Sequence, residues 1–91
     1  MKRYTQRTDI GYTIPDHELQ EAVSRLAAYE DIYDDVAGGI CGLPSALEAL
    51  RVDGKEKTVR YKELLGQKLL YNYIAALYER HGIMFDSYED N

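Results

Sequence analysis

The chain is expected to fold as an all-α protein, a small bundle of two main helices with a short one between them. Three observations carry that expectation. Apolar residues recur at three- and four-residue steps between Leu19 and Tyr33, and again, on more than one side, between Leu64 and Tyr78; glycine, proline and aspartate separate the two stretches. Steps of three and four gather side chains on one helix face, whereas a strand alternates every second residue. A length of 91 residues allows one hydrophobic core, so residues 1–91 are read as a single domain. Its stability is expected at roughly 5 to 10 kcal/mol.

Residues 1–12 read as an irregular, flexible arm. The first helix is expected over about residues 16–33. Pro15 punctuates its start, Thr13 and Asp16 have the spacing of a capping box, and Asp16 and Glu18 suit the positive end of the helix dipole. Leu19, Ala22, Val23, Leu26, Ala27, Tyr29 and Tyr33 form its inward face, with Leu26 as the core anchor. Glu30 lies within that arc, and a covered carboxylate requires a basic partner, expected from the Lys and Arg residues at 55–68. Gly38 and Gly39 read as the end of the helix, and Ser45 with Glu48 as a second capping box opening a short helix over about 45–50. Asp53 and Gly54 centre a loop, the last helix is expected over about 61–80 with a stop at Gly82, and residues 84–91 read as a flexible acidic tail.

Hydrophobic residues make up 45% and charged residues 30% of the chain, the balance of a globular protein. The net charge of −5 opposes general attraction to phosphate backbones, so no strong nucleic-acid binding is expected. The charges are sorted: three bases within 1–7, eight acids against Arg25 alone within 8–36, and five bases against Glu56 and Glu63 within 55–68. Cys41 stands alone, which rules out an internal disulfide and suits a reducing compartment such as the bacterial cytoplasm. No apolar run follows the basic start, and none reaches the roughly 18 residues that a membrane span needs.

Little in the sequence points to catalysis. Glu30 with Asp34, and Asp31 with Asp35, stand four apart, a spacing that can hold a divalent cation, but no oxygen-rich loop or nearby histidine completes a site. These acids read as a solvated helix end, and neither metal nor cofactor is expected. His17, His81 and Cys41 fall on separate segments and read as structural or exposed. The stretch "GGICGLPS" precedes an expected helix start, where backbone N–H groups can hold an anion. Gly39 and Gly42, with Lys55, Lys57, Arg60 and Tyr61, are therefore candidate contacts for a phosphorylated ligand, although the G-K-[ST] ending of a phosphate loop is missing.

Nine tyrosines and no tryptophan make up most of the aromatic content. Tyrosine couples a large apolar ring to a hydroxyl and is enriched in binding surfaces. On the last helix Leu65, Leu69, Tyr73 and Ala76 form one face, expected to cover the first helix, while Leu70, Tyr71, Ile74, Leu77 and Tyr78 form a second that is expected to meet another chain.

The opening "MKRYTQR", the pair Gly11 and Tyr12, and "AVSRLAAYED" at 22–31 resemble small uncharacterised proteins encoded by phages and prophages of Gram-positive bacteria, which carry M-x-R-L-T-x-R and R-L-A-A-Y-E-D. The resemblance covers the first third of the chain. Where those proteins continue T-G-L-T-P-E-E, this one continues "IYDDVAGG". The resemblance implies a phage origin and no chemistry; with the reducing compartment that Cys41 suits, the expected location is the cytoplasm of the host cell. Together with the aromatic face it leads to an expected function: a non-enzymatic accessory protein that docks on a host or phage protein, in its sharper form an anti-CRISPR-like inhibitor of a host defence system. The alternatives are a phage structural or assembly homo-oligomer, of which a homodimer is the simplest, and a protein that sequesters a nucleotide ligand.

Overall fold

Val36, Ile40, Leu43 and Leu47 follow one another at steps of four, three and four, and all four are buried. That seam continues directly through Gly38, Gly39 and Gly42, so the expected break does not occur. The computed structural model, which describes residues 1–85, has one uninterrupted helix, α1 (Leu19–Val52), where two were expected. Each glycine weakens a helix by about 1 kcal/mol relative to alanine. Burying Ile or Leu contributes about 1.5 to 3 kcal/mol apiece, which outweighs that cost. Ser45 therefore lies inside α1 and caps nothing, and Cys41 is an exposed helical residue, not a loop residue. Pro44 also sits within the helix, on its exposed side between buried Leu43 and Leu47; it lacks the N–H that would reach the Ile40 carbonyl.

The second helix, α2 (Val59–Arg80), begins at Thr58, whose Oγ1 accepts the Tyr61 amide at 3.2 Å. It ends at His81 and Gly82, the latter at φ +85°, where glycine is at ease. The link between the helices is a loop, as expected: Gly54 at φ +73° lets its own amide donate to the Arg51 carbonyl and the Lys55 amide donate to that of Leu50. Two-helix, all-α architecture is thus the fold, with short strands only in the irregular N-terminal region.

The chain divides into two units, Met1–Ile32 and the residues from Tyr33 onward. In the second unit, the later half of α1 and α2 pack antiparallel. Leu43 and Leu47 meet Leu64, with Leu50 and Tyr61 at the edge. Val36 and Ile40 meet Ala75 and Phe85, with Tyr33, Ile74 and Tyr78 around them. Tyr71 packs against both groups. The inner seam of α2 reads Tyr61, Leu64, Lys68, Tyr71, Ala75, Tyr78, a strict three-four alternation of the kind that keeps two helices in register. Lys68 is half-buried within it, its aliphatic stem able to lie along the seam while the ammonium reaches water. Gly39 allows the Tyr71 ring to lie against the backbone of α1: a Cβ there would stand 2.6 Å from Cζ of Tyr71. Phe85, assigned from sequence to the acidic tail, is fully buried; its ring stacks on Tyr33 at 4.3 Å and meets the Tyr78 ring edge-on at 5.3 Å, while the Tyr33 hydroxyl donates to the Met84 carbonyl at 2.6 Å. The remainder of that tail, 86–91, lies outside the described residues.

The first unit is built differently. Strands β1 (Gln6–Thr8) and β2 (Gly11–Thr13) pair antiparallel, Arg7 opposite Tyr12, within the segment read as an irregular arm. A single helical turn, Asp16–Glu18, leads into α1; Pro15 is its N-cap and no side chain caps it, so the expected Thr13 capping box is not made.

Candidate docking surfaces

In the first unit the chain from Met1 to Thr5 runs beside α1 and is tied to it by polar groups. The Lys2 ammonium pairs with the Glu18 carboxylate, and that hydrogen bond, above all, holds its pKa higher than an ordinary lysine's. The Tyr4 hydroxyl donates to Oε2 of Glu21 at 3.3 Å, and the Arg25 guanidinium donates to the Lys2 carbonyl at 3.2 Å while standing 5.1 Å from the centre of the Tyr4 ring. The Tyr29 hydroxyl donates to the Met1 sulfur at 3.3 Å. These contacts close one side of the helix only. Ala22 is buried, yet Leu19, Val23 and Tyr29 remain about half exposed and Leu26, the expected anchor, is 56% exposed. Between arm and helix lies an open groove of about 470 Å³ whose walls include Arg3, Tyr4, Ile14, Leu19, Val23 and Leu26. The inward face foreseen for the first helix is thus apolar but uncovered. Glu30 is exposed as well and needs no buried partner.

On α2 the two faces are exchanged relative to expectation. Tyr71, Ile74 and Tyr78 turn to the chain's own core, and Leu77 is half-buried; of the residues expected to meet another chain, Leu70 stays exposed. Leu65, Leu69 and Tyr73, expected to cover the first helix, face solvent, Leu69 at 64% and Tyr73 at 62% exposure. The outward ridge is therefore Leu65, Leu69 and Tyr73 flanked by Leu70, with exposed Lys62 three residues ahead of Leu65 on the same side.

The candidate anion contacts are not brought together. Gly39 and Gly42 lie mid-helix, where amide donors are taken up by the helix itself, so the expected N–H cradle does not form. Lys55 and Lys57 are exposed in the loop between the helices, Arg60 pairs at 3.9 Å with Glu63, and Tyr61 packs against Leu43, Leu47 and Leu64. Arg51 pairs with Glu48, whose carboxylate raises its pKa. Glu30, Asp31, Asp34 and Asp35 are all exposed; among the described residues no three His, Cys, Asp or Glu side chains converge on a common point, and no helix is long and apolar enough to cross a membrane. His17 and His81 are exposed.

The groove in the first unit escaped sequence reasoning, because it depends on where the arm lies. Its signal was present nonetheless in the two bases Lys2 and Arg3 directly before Tyr4. The chain matches no protein-family model, no curated protein and no solved structure.

Proposed function

We propose that this chain is a non-enzymatic phage accessory protein that docks through the outward ridge of α2 on an acidic surface of a host or phage protein and so modulates it; inhibition of a host defence system is the sharper form. The single observation behind this reading is that ridge. Leu65, Leu69, Leu70 and Tyr73 stay in solvent on a helix whose opposite face already fills a core, and a contiguous apolar strip of this kind marks an interaction surface. The loop before α2 and the first turns of the helix carry the exposed bases Lys55, Lys57, Arg60 and Lys62 against Glu56 and Glu63, the latter paired with Arg60, and this positive balance favours a partner with carboxylates beside its apolar contact. The phage origin rests on the resemblance of 1–7 and 22–31.

Affinity capture from host lysate tests the reading. The parent chain is expected to retain a specific protein, and Leu69→Asp to lose it while keeping the parent's circular dichroism, since the charge enters only the exposed side. Retention of nothing by the parent, or equal retention by Leu69→Asp, contradicts the proposal.

A further inference from the structure

We infer that the open face of α1 in the first unit is a homodimer interface, on which a second copy of this chain lies antiparallel about a twofold axis close to Leu26. The face is a stripe of Leu19, Val23 and Leu26, at steps of four and three, each about half exposed beside the groove. Water is a poor neighbour for such a stripe, and something apolar is expected to cover it.

Charge identifies the cover. Apart from Tyr4 and Tyr29, the ionisable side chains lining the groove are Lys2, Arg3 and Arg25, all bases, in a protein of net charge −5. Lys2 is paired with Glu18, and Arg25 is bonded to the Lys2 carbonyl. Among the described residues Arg3 meets only the Tyr12 ring, at 5.9 Å. Four residues beyond Leu26 the same stripe reaches Glu30, an exposed carboxylate. Glu18 and Glu21 stand at the same end as the bases, but Glu18 pairs with Lys2 and Glu21 accepts from Tyr4. Each copy therefore carries an apolar stripe with the charge of Arg3 beside one end and that of Glu30 at the other. A twofold axis at Leu26 sets Glu30 of the second copy level with Ala22, beside the groove wall that holds Arg3, and sets Tyr29 of the second copy level with Val23. Parallel pairing would place Glu30 against Glu30. An isologous contact needs this kind of self-complementarity, in which one patch supplies both halves of every pair. The inference does not rest on the proposed role of α2, which uses a different surface.

Sedimentation velocity over a concentration series, with circular dichroism as the check on folding, tests it on the full chain. The parent is expected to dimerise, and Leu26→Asp to raise the dimer Kd by about thirtyfold or more with an unchanged helical signal. Arg3→Glu and Glu30→Arg should each weaken the dimer, and the two together should restore the parent's Kd. Leu69→Asp should sediment as the parent does. A parent that stays monomeric into the millimolar range overturns the inference, as does a dimer that Leu69→Asp dissociates. If Leu26→Asp loses its helical signal, the charge-reversal pair decides: recovery in the double variant supports the interface, and failure to recover overturns it.

Discussion

One helix, α1, runs through two environments, and the difference shows what secondary structure alone does not provide. From Tyr33 onward its seam of Val36, Ile40, Leu43 and Leu47 is buried against α2 and Phe85. Before Tyr33 an equally regular seam of Leu19, Val23 and Leu26 stands half in water, held on one side by a polar arm. Periodicity is the same in both; what differs is whether the chain supplies a second apolar face. In the second unit it does, and the helix survives three glycines and a proline. In the first the arm offers mainly charges and rings.

The sharpest way to break this contrast is at Phe85, whose ring is 0% exposed and joins Tyr33 and Tyr78 at the far end of the seam. Phe85→Ala should cost about 3 to 5 kcal/mol, a large part of the stability of a domain this size, visible as a fall in the urea midpoint. Next comes Gly39→Ala. Alanine normally favours a helix over glycine by about 1 kcal/mol, but here its Cβ would lie 2.6 Å from Cζ of Tyr71, and the ring would have to leave both halves of the core. A net loss of about 1 to 3 kcal/mol is expected, whereas Gly38→Ala and Gly42→Ala, with nothing within 4 Å, should stabilise. A thermal melt in which all three alanines act alike would show that Tyr71 does not fix the helix spacing. Thr58→Ala should cost about 1 kcal/mol through loss of the cap to the Tyr61 amide. Smallest is Leu26→Ala in dilute solution: at 56% exposure it should shift stability by less than about 1 kcal/mol. A loss near that of Phe85→Ala would mean that the first unit has a closed core after all.

The sequence carried the all-α class, the loop at Gly54 and the stop at Gly82, because local backbone preferences govern these. It misled where tertiary burial overrides them. Gly38, Gly39, Pro44 and Ser45 all signal a break, and only the seam from Val36 to Leu47 sets that signal aside. On α2 the exchange of faces traces to Lys68: a charged residue in mid-helix hides a three-four seam in which it is half-buried. The hairpin of β1 and β2 was hidden by brevity, with three exposed residues in each strand. Phe85 was hidden by the acids that follow it. Thr58 is the cap that was missed, having no glutamate three residues on to complete a box.

Native-state amide exchange along α1, read by NMR in dilute and in concentrated samples, tests the contrast most directly. Amides of residues 36–47 should exchange only at the rate of global unfolding, at any concentration. Amides of 19–32 should exchange much faster when dilute and slow as concentration rises and the second copy covers Leu19, Val23 and Leu26. Uniform protection along the whole helix in dilute solution, or a first half whose exchange ignores concentration, would contradict the account.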